Sequence, residues 1–207
     1  AYWFTSHDET PGTIAPANDF KPEAGGYLGT KSAHVVASGY SNWGAALSAN
    51  VTHKAALRCP YNASAFAGFR FVARGHGQVR VQLAMPDVID KEYGGSCDPK
   101  AQVCYDQHGA YVQLGADFQT YELPWSSFVQ RGFGPPLDFN PGSLISLSFA
   151  MEANDLPVEL WLDQVEWWDG RPTETGGGGA SGAGGAAGDG GTSTTAGEPW
   201  GEAGAGG

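Results

Sequence analysis

The sequence predicts an all-β fold: a two-sheet antiparallel jelly-roll β-sandwich over residues 1–170, followed by a Gly-rich tail over 171–207. Three observations carry this prediction. Short runs with period-two alternation recur along the first 170 residues. Gly, Pro, Asn and Asp clusters separate those runs, and no 3.6-residue periodicity persists for even three turns. The composition then shifts near Gly170, beyond which Gly dominates.

The strands follow in chain order. Residues 2–5, 33–38 and 43–49 are short candidates. Phe69, Phe71 and Ala73 alternate with Arg70 and Val72. Val79, Val81, Leu83 and Met85 alternate with Arg80, Gln82 and Ala84. Residues 110–114 and 118–123 come next, with a short helical turn at 125–130 or 62–66. Ile145, Leu147, Phe149 and Met151 alternate with Ser146, Ser148 and Ala150. The last strand, Pro157 to Trp168, is apolar on one face and aromatic on the other, which suits the inside of a sheet. About nine short strands with no helices between them indicate a sandwich or barrel.

From Gly176 to Gly207, 15 of 32 residues are Gly. Such a segment buries too little apolar surface to offset its ordering entropy. It is expected to be a linker or tail. As an assembly element it would pack closely on a neighbour, with Pro199-Trp200 as an anchor.

Eleven basic side chains stand against 22 acidic ones, a net charge of −11. That sign argues against nucleic acid as a partner. No run approaches the 18 or so apolar residues of a membrane span. Cys97 and Cys104 lie seven apart in a Gly- and Pro-containing loop, and a disulfide between them is expected, with free loop thiols as the alternative. The spacing does not suit zinc. A bridge implies an oxidising compartment, secreted or at the cell surface. Cys59 is left over.

Several motifs resemble the galactose-binding-like jelly rolls. They are the opening Trp3-Phe4-Thr5 with Asp8-Glu9 before Gly12-Thr13, the Trp43-Gly44 and Phe69-Arg70-Phe71 strands, and the closing Trp161-Leu162-Asp163. Met85-Pro86-Asp87-Val88, Gly94-Gly95-Ser96-Cys97, Cys104-Tyr105-Asp106-Gln107-His108-Gly109 and Leu123-Pro124-Trp125-Ser126-Ser127-Phe128 add to the pattern. Within these jelly rolls the chain is similar to family 11 carbohydrate-binding modules, and to domains of secreted and surface proteins of myxobacteria and their relatives. The resemblance covers roughly residues 1–168. It implies a structural calcium ion between an early loop and the last strand, with Asp8, Glu9 and Asp163 as ligands. Calcium takes six to eight oxygens. Hydrogen bonds from loop amides would equally satisfy Asp163 within its apolar strand.

Sugars are bound by stacking their apolar faces on aromatic rings while polar groups read the hydroxyls. Tyr40, Trp43, Tyr111 and Trp125 are the ring candidates, with Arg80, Gln82 and Gln113 as hydrogen-bonding neighbours. Tyr93 and Tyr105 also fall off the core faces. Trp43 and Trp125 have a second reading as core or edge-covering residues. Asp87, Asp106 and His108 form a loop polar cluster, either contacting a ligand or second metal or capping turns. No nucleophile elbow, HExxH or phosphate loop is present, so no enzyme is expected. Carboxylates are abundant, and Asp87 and Asp106 could by accident supply the acid pair that a glycosidase needs.

Two functions are consistent with this pattern. One is a non-catalytic extracellular module holding a polysaccharide on one sheet. The other is a self-associating subunit of an extracellular filament or surface layer, with the Gly-rich tail or the N-terminal strand packing on neighbours.

Overall fold

A computed structural model describes residues 3–17, 20–52, 59–152 and 156–171. The chain divides into a compact unit, Ala1–Gly170, and the stretch Arg171–Gly207. The latter lies outside the described residues from 172 onward, and with it Pro199, Trp200 and every expectation for the tail.

Among the described residues eleven strands form two antiparallel sheets. In order they are β1 (Trp3–His7), β2 (Thr13–Ala15), β3 (Glu23–Ala24), β4 (Lys31–Ser38), β5 (Ala45–Asn50) and β6 (Gly68–His76). Then follow β7 (Gln78–Ala84), β8 (His108–Gln113), β9 (Gln119–Pro124), β10 (Ser146–Met151) and β11 (Val158–Trp168). One sheet has five strands in the order β1-β5-β10-β7-β8. The other has six, β2-β4-β11-β6-β9 with β3 added beside β4. The described helical structure is confined to single 3-10 turns, including Trp125–Ser127. The expected turn at 62–66 is not helical.

The alternation sorts each strand into two faces. Thr5, Leu47, Phe149, Val81 and Ala110 stand in register across the five-stranded sheet. Leu160 and Leu162 of β11 face Val35 and Ala33 of β4 in the other sheet. These rows meet between the sheets: the Phe149 ring packs on Phe69 at 6.2 Å and edge-on to Phe71 at 5.1 Å. The core is therefore one layer of interdigitated side chains, as an aligned sandwich requires. β11 runs between β4 and β6, inside its sheet. Its register shifts between Asp163 and Glu166, and Gln164 has a φ of 43° there.

The strands β2 and β3, of three and two residues, are too short to show a period-two signal. The N-terminal strand spans Trp3–His7 and pairs with β5 of its own chain. The Thr5 hydroxyl also donates to the Pro16 carbonyl at 3.0 Å, which ties the segment after β2 to that strand.

Candidate functional site: the outer face of the five-stranded sheet

The rows that alternate with the core rows point away from the sandwich. Phe4, Ser48, Ser148, Gln82 and Gly109 form one row. Ser6, Ala46, Ala150, Arg80 and Tyr111 form the next. The three middle strands thus contribute mostly Ser and Ala, and the taller side chains stand toward the edges. The surface is low in the middle and walled by Phe4 at one side and Gln82 and Tyr111 at the other. Ser48 and Ser148 share a hydrogen bond at 2.9 Å between their hydroxyls.

Tyr111 is the exposed ring on this face, 52% accessible. Its hydroxyl donates to Glu152 at 2.9 Å, and the Glu152 carboxylate is ion-paired with Arg131 at 3.0 Å. The Arg80 guanidinium lies 5.6 Å from its ring centroid. Burial, then the neighbouring Glu152 carboxylate, raises the Tyr111 phenol above its ordinary value, so it stays neutral and donates. The ring is held by a cation and a carboxylate, which limits the rotamer entropy a ligand must freeze. Glu152 and Arg131 did not emerge from the sequence, because Glu152 follows the end of β10 and Arg131 sits in a loop.

Arg80 corrects an expectation. It belongs to the outward row, yet it is buried, and it donates to the carbonyls of Gln107 at 3.1 Å and Val129 at 2.7 Å. It props the face from below and offers no free head group to a ligand. Gln82 is half-buried on the face, and Gln113 is exposed with its amide donating to the Gly77 carbonyl at 2.9 Å.

The other ring candidates lie elsewhere. Tyr40 is buried and stacks on His7 at 5.3 Å. Gly12 makes room for it, since a Cβ there would come within 2.5 Å of the ring. Trp125 is half-buried, packs on Phe128, Phe139 and Trp167, and donates its indole N–H to the Phe66 carbonyl at 2.7 Å. Both are packing residues, not platforms. Trp43 is 47% exposed in the turn before β5.

Asp8 fixes that turn. Its carboxylate accepts from the backbone N–H and hydroxyl of Thr10, from Asn42 N–H at 3.1 Å and from Gly44 N–H at 2.8 Å. Burial alone would raise its pKa, but these donors outweigh it and hold the group at about 2. Asp163 accepts from Tyr27 N–H, the Thr30 hydroxyl and Gln164 N–H at 2.8–3.0 Å. Both carboxylates thus have their oxygens engaged by backbone N–H groups and threonine hydroxyls. Among the described residues no three His, Cys, Asp or Glu side chains are grouped to hold a metal. Asp8, Glu9 and Asp163 therefore do not form one carboxylate cluster. The second remedy for a carboxylate in an apolar strand, hydrogen bonding to loop groups, is the one used.

Two of the three residues of the loop polar cluster are internal. Asp106 is buried, and its carboxylate accepts from the N–H groups of Arg131, Gly132 and Gly134 at 2.9–3.0 Å. Burial opposes ionisation, but these amides and Arg80 hold the carboxyl below its usual range. His108 is buried, with Nε2 donating to the Leu137 carbonyl at 2.9 Å. Asp87 is exposed and accepts from the Ser96 hydroxyl at 3.1 Å. A buried Asp106 held by three amides fixes the 131–134 turn, which is the capping role. The expected Cys97–Cys104 disulfide is present, with a Cα–Cα distance of 6.0 Å, and Cys59 is a free, half-buried thiol.

The outer face of the six-stranded sheet carries a second aromatic group of a different kind. His34 stacks on Trp161 at 3.9 Å, and Arg74 lies 4.8 Å from the Trp161 centroid and 4.9 Å from that of Phe118. Trp161 is occupied by its own neighbours and is not an open platform.

No family model and no curated sequence matches the chain. Solved structures do. The family 11 carbohydrate-binding module of the cellulosomal cellulase Lic26A-Cel5E of Clostridium thermocellum aligns with a TM-score of 0.59 at 16% identity, covering 81% of this chain and 87% of that one. The Clostridium thermocellum family 11 module in complex with a β-1,3-1,4-mixed-linked tetrasaccharide gives 0.58 at 17% identity, covering 80% and 88%. The solution structure of CtCBM11 gives 0.58 at 15%, covering 83% and 91%. The fold is a jelly roll of the family 11 carbohydrate-binding-module type.

Proposed function

We propose that the domain binds a polysaccharide non-catalytically, laying the chain across the outer face of the five-stranded sheet. The observation that carries this reading is the in-register Ser/Ala floor beside an exposed Tyr111 whose ring is fixed by Arg80 and Glu152. A sugar ring needs such an arrangement: a rigid apolar plate for its C–H face and nearby polar groups for its hydroxyls. Gln82, Ser148 and Glu152 supply the latter. Arg131 and Glu152 pair with each other, which favours an uncharged glycan over an acidic one. The likeness in fold to modules of cellulases, one of them holding a mixed-linked tetrasaccharide, supports the same reading. The disulfide supports a secreted or cell-surface setting.

Affinity electrophoresis of the whole chain through gels containing mixed-linkage β-glucan, xylan or cellulose derivatives tests the reading. Retardation in at least one gel, relieved in Tyr111→Ala while its melting temperature is kept, is the expected outcome. A Tyr111→Ala variant as strongly retarded as the parent would overturn it.

A further inference from the structure

We infer that the glycan-binding face does not end at β8 but continues onto an aromatic rim formed by Tyr105 and Phe133; this rests on the polysaccharide reading above. The segment after Phe128 pairs with the free edge of β8 through the Gly109–Val129 bridge. Paired residues point to the same side of a sheet, so Val129 extends the row that runs from Phe4 through Ser148 and Gln82 to Gly109. Val129 is exposed, and two residues on Arg131 reaches Glu152 at the Tyr111 hydroxyl. The same loop carries Phe133, 51% exposed, and the loop before β8 carries Tyr105, 42% exposed, whose N–H donates to the Val88 carbonyl at 2.7 Å. Gly134 brings their two loops together, its Cα so near Asp106 that a Cβ would lie 2.8 Å from that side chain.

Exposure of two rings says little by itself. What distinguishes these is the support beneath them. The buried Asp106 gathers three amides of the Phe133 loop, and the buried Arg80 ties that loop's Val129 carbonyl to the Gln107 carbonyl of the Tyr105 loop. The Gln130 amide donates to the Asp106 and Pro135 carbonyls, and the disulfide ends one residue before Tyr105. Tyr105 itself sits at φ 71°, a conformation that costs an L-residue free energy and is retained where its surroundings demand it. Two loops held this firmly, one of them joined to the row at Val129, carry exposed rings beside a face already suited to a sugar chain. A preorganised plate of that kind binds with little loss of entropy.

The geometry sets a length dependence. Five strands at about 4.8 Å spacing make a face roughly 19 Å across, the order of a tetrasaccharide's length. A four-sugar chain fills the sheet, and a longer one reaches the rim. The test uses isothermal titration of the full chain with the mixed-linkage β-glucan tetrasaccharide, an octasaccharide of the same glucan and the polymer. Phe133→Ala and Tyr105→Asn are compared with the parent; Asn tolerates the left-handed backbone, so that variant keeps its fold. We expect each to weaken octasaccharide and polymer binding about tenfold while leaving the tetrasaccharide unchanged. Unaltered octasaccharide affinity in both variants would overturn the rim and leave the sheet reading intact. Equal losses on the tetrasaccharide and octasaccharide would also overturn it, because the rings would then be acting on the sheet itself. No heat with any of the three, and no retardation in any gel, would remove the polysaccharide reading and the rim with it.

Discussion

His108 carries its imidazole into the interior of β8, where Nε2 donates to the Leu137 carbonyl and Nδ1 has no hydrogen-bond partner. Donation through Nε2 fixes the neutral tautomer with a bare Nδ1. Burial pushes its pKa below the ordinary value of 6.5, and the Leu137 carbonyl and Asp106 only partly counter this, with Arg80 on the same side of the balance as burial. A histidine whose folded pKa is depressed stabilises the fold fully above its ordinary pKa and loses that contribution as pH falls below it. The melting temperature should therefore drop as pH is lowered from about 7 toward 5, and His108→Gln should lack that part of the drop. A parent and variant with parallel pH profiles would contradict the assignment. The sequence located His108 and Asp106 together in one loop cluster but not their role. Spacing cannot tell a side chain that faces ligand from one that faces the neighbouring loop, because the partners here, residues 130–137, lie more than twenty positions away.

The strands were the most legible feature, because alternation is a local property of the chain. Its faces were legible too: the Ser146, Ser148 and Ala150 face and the Arg80 and Gln82 face are the outward rows of β10 and β7. What alternation could not supply was strand order, and hence which outward residues adjoin. Tyr111 was separable from Tyr40 and Trp125 only once β8 was paired to β7 and Trp125 was seen to cap its ring stack. Pairing also exposes a demand on Gly75, where β6 meets β11. Its φ is 152°, and a Cβ would stand 1.8 Å from the Glu159 carbonyl oxygen. Gly75→Ala should force the two strands apart and cost roughly 2–4 kcal/mol, read as a lowered midpoint in urea unfolding. An unchanged midpoint would mean the strands separate there without penalty.

The jelly-roll body, Ala1–Gly170, is a packed unit in its own right. Truncation after Gly170 should leave its melting temperature within about 2 °C of the whole chain, since the body has its own core of interdigitated side chains. A cooperative loss of structure would refute that boundary. The two outer faces differ in a way that supports the proposed face: one carries the exposed Tyr111 beside small residues, and on the other Trp161 is contacted by His34 and Arg74. The most direct check is an NMR titration of the 15N-labelled chain with the mixed-linkage octasaccharide. Amide shifts should cluster at Ser48, Gln82, Gly109, Tyr111 and Ser148, with Phe133 following. Shifts confined to His34, Arg74 and Trp161, on the opposite sheet, would contradict the assignment of the binding face.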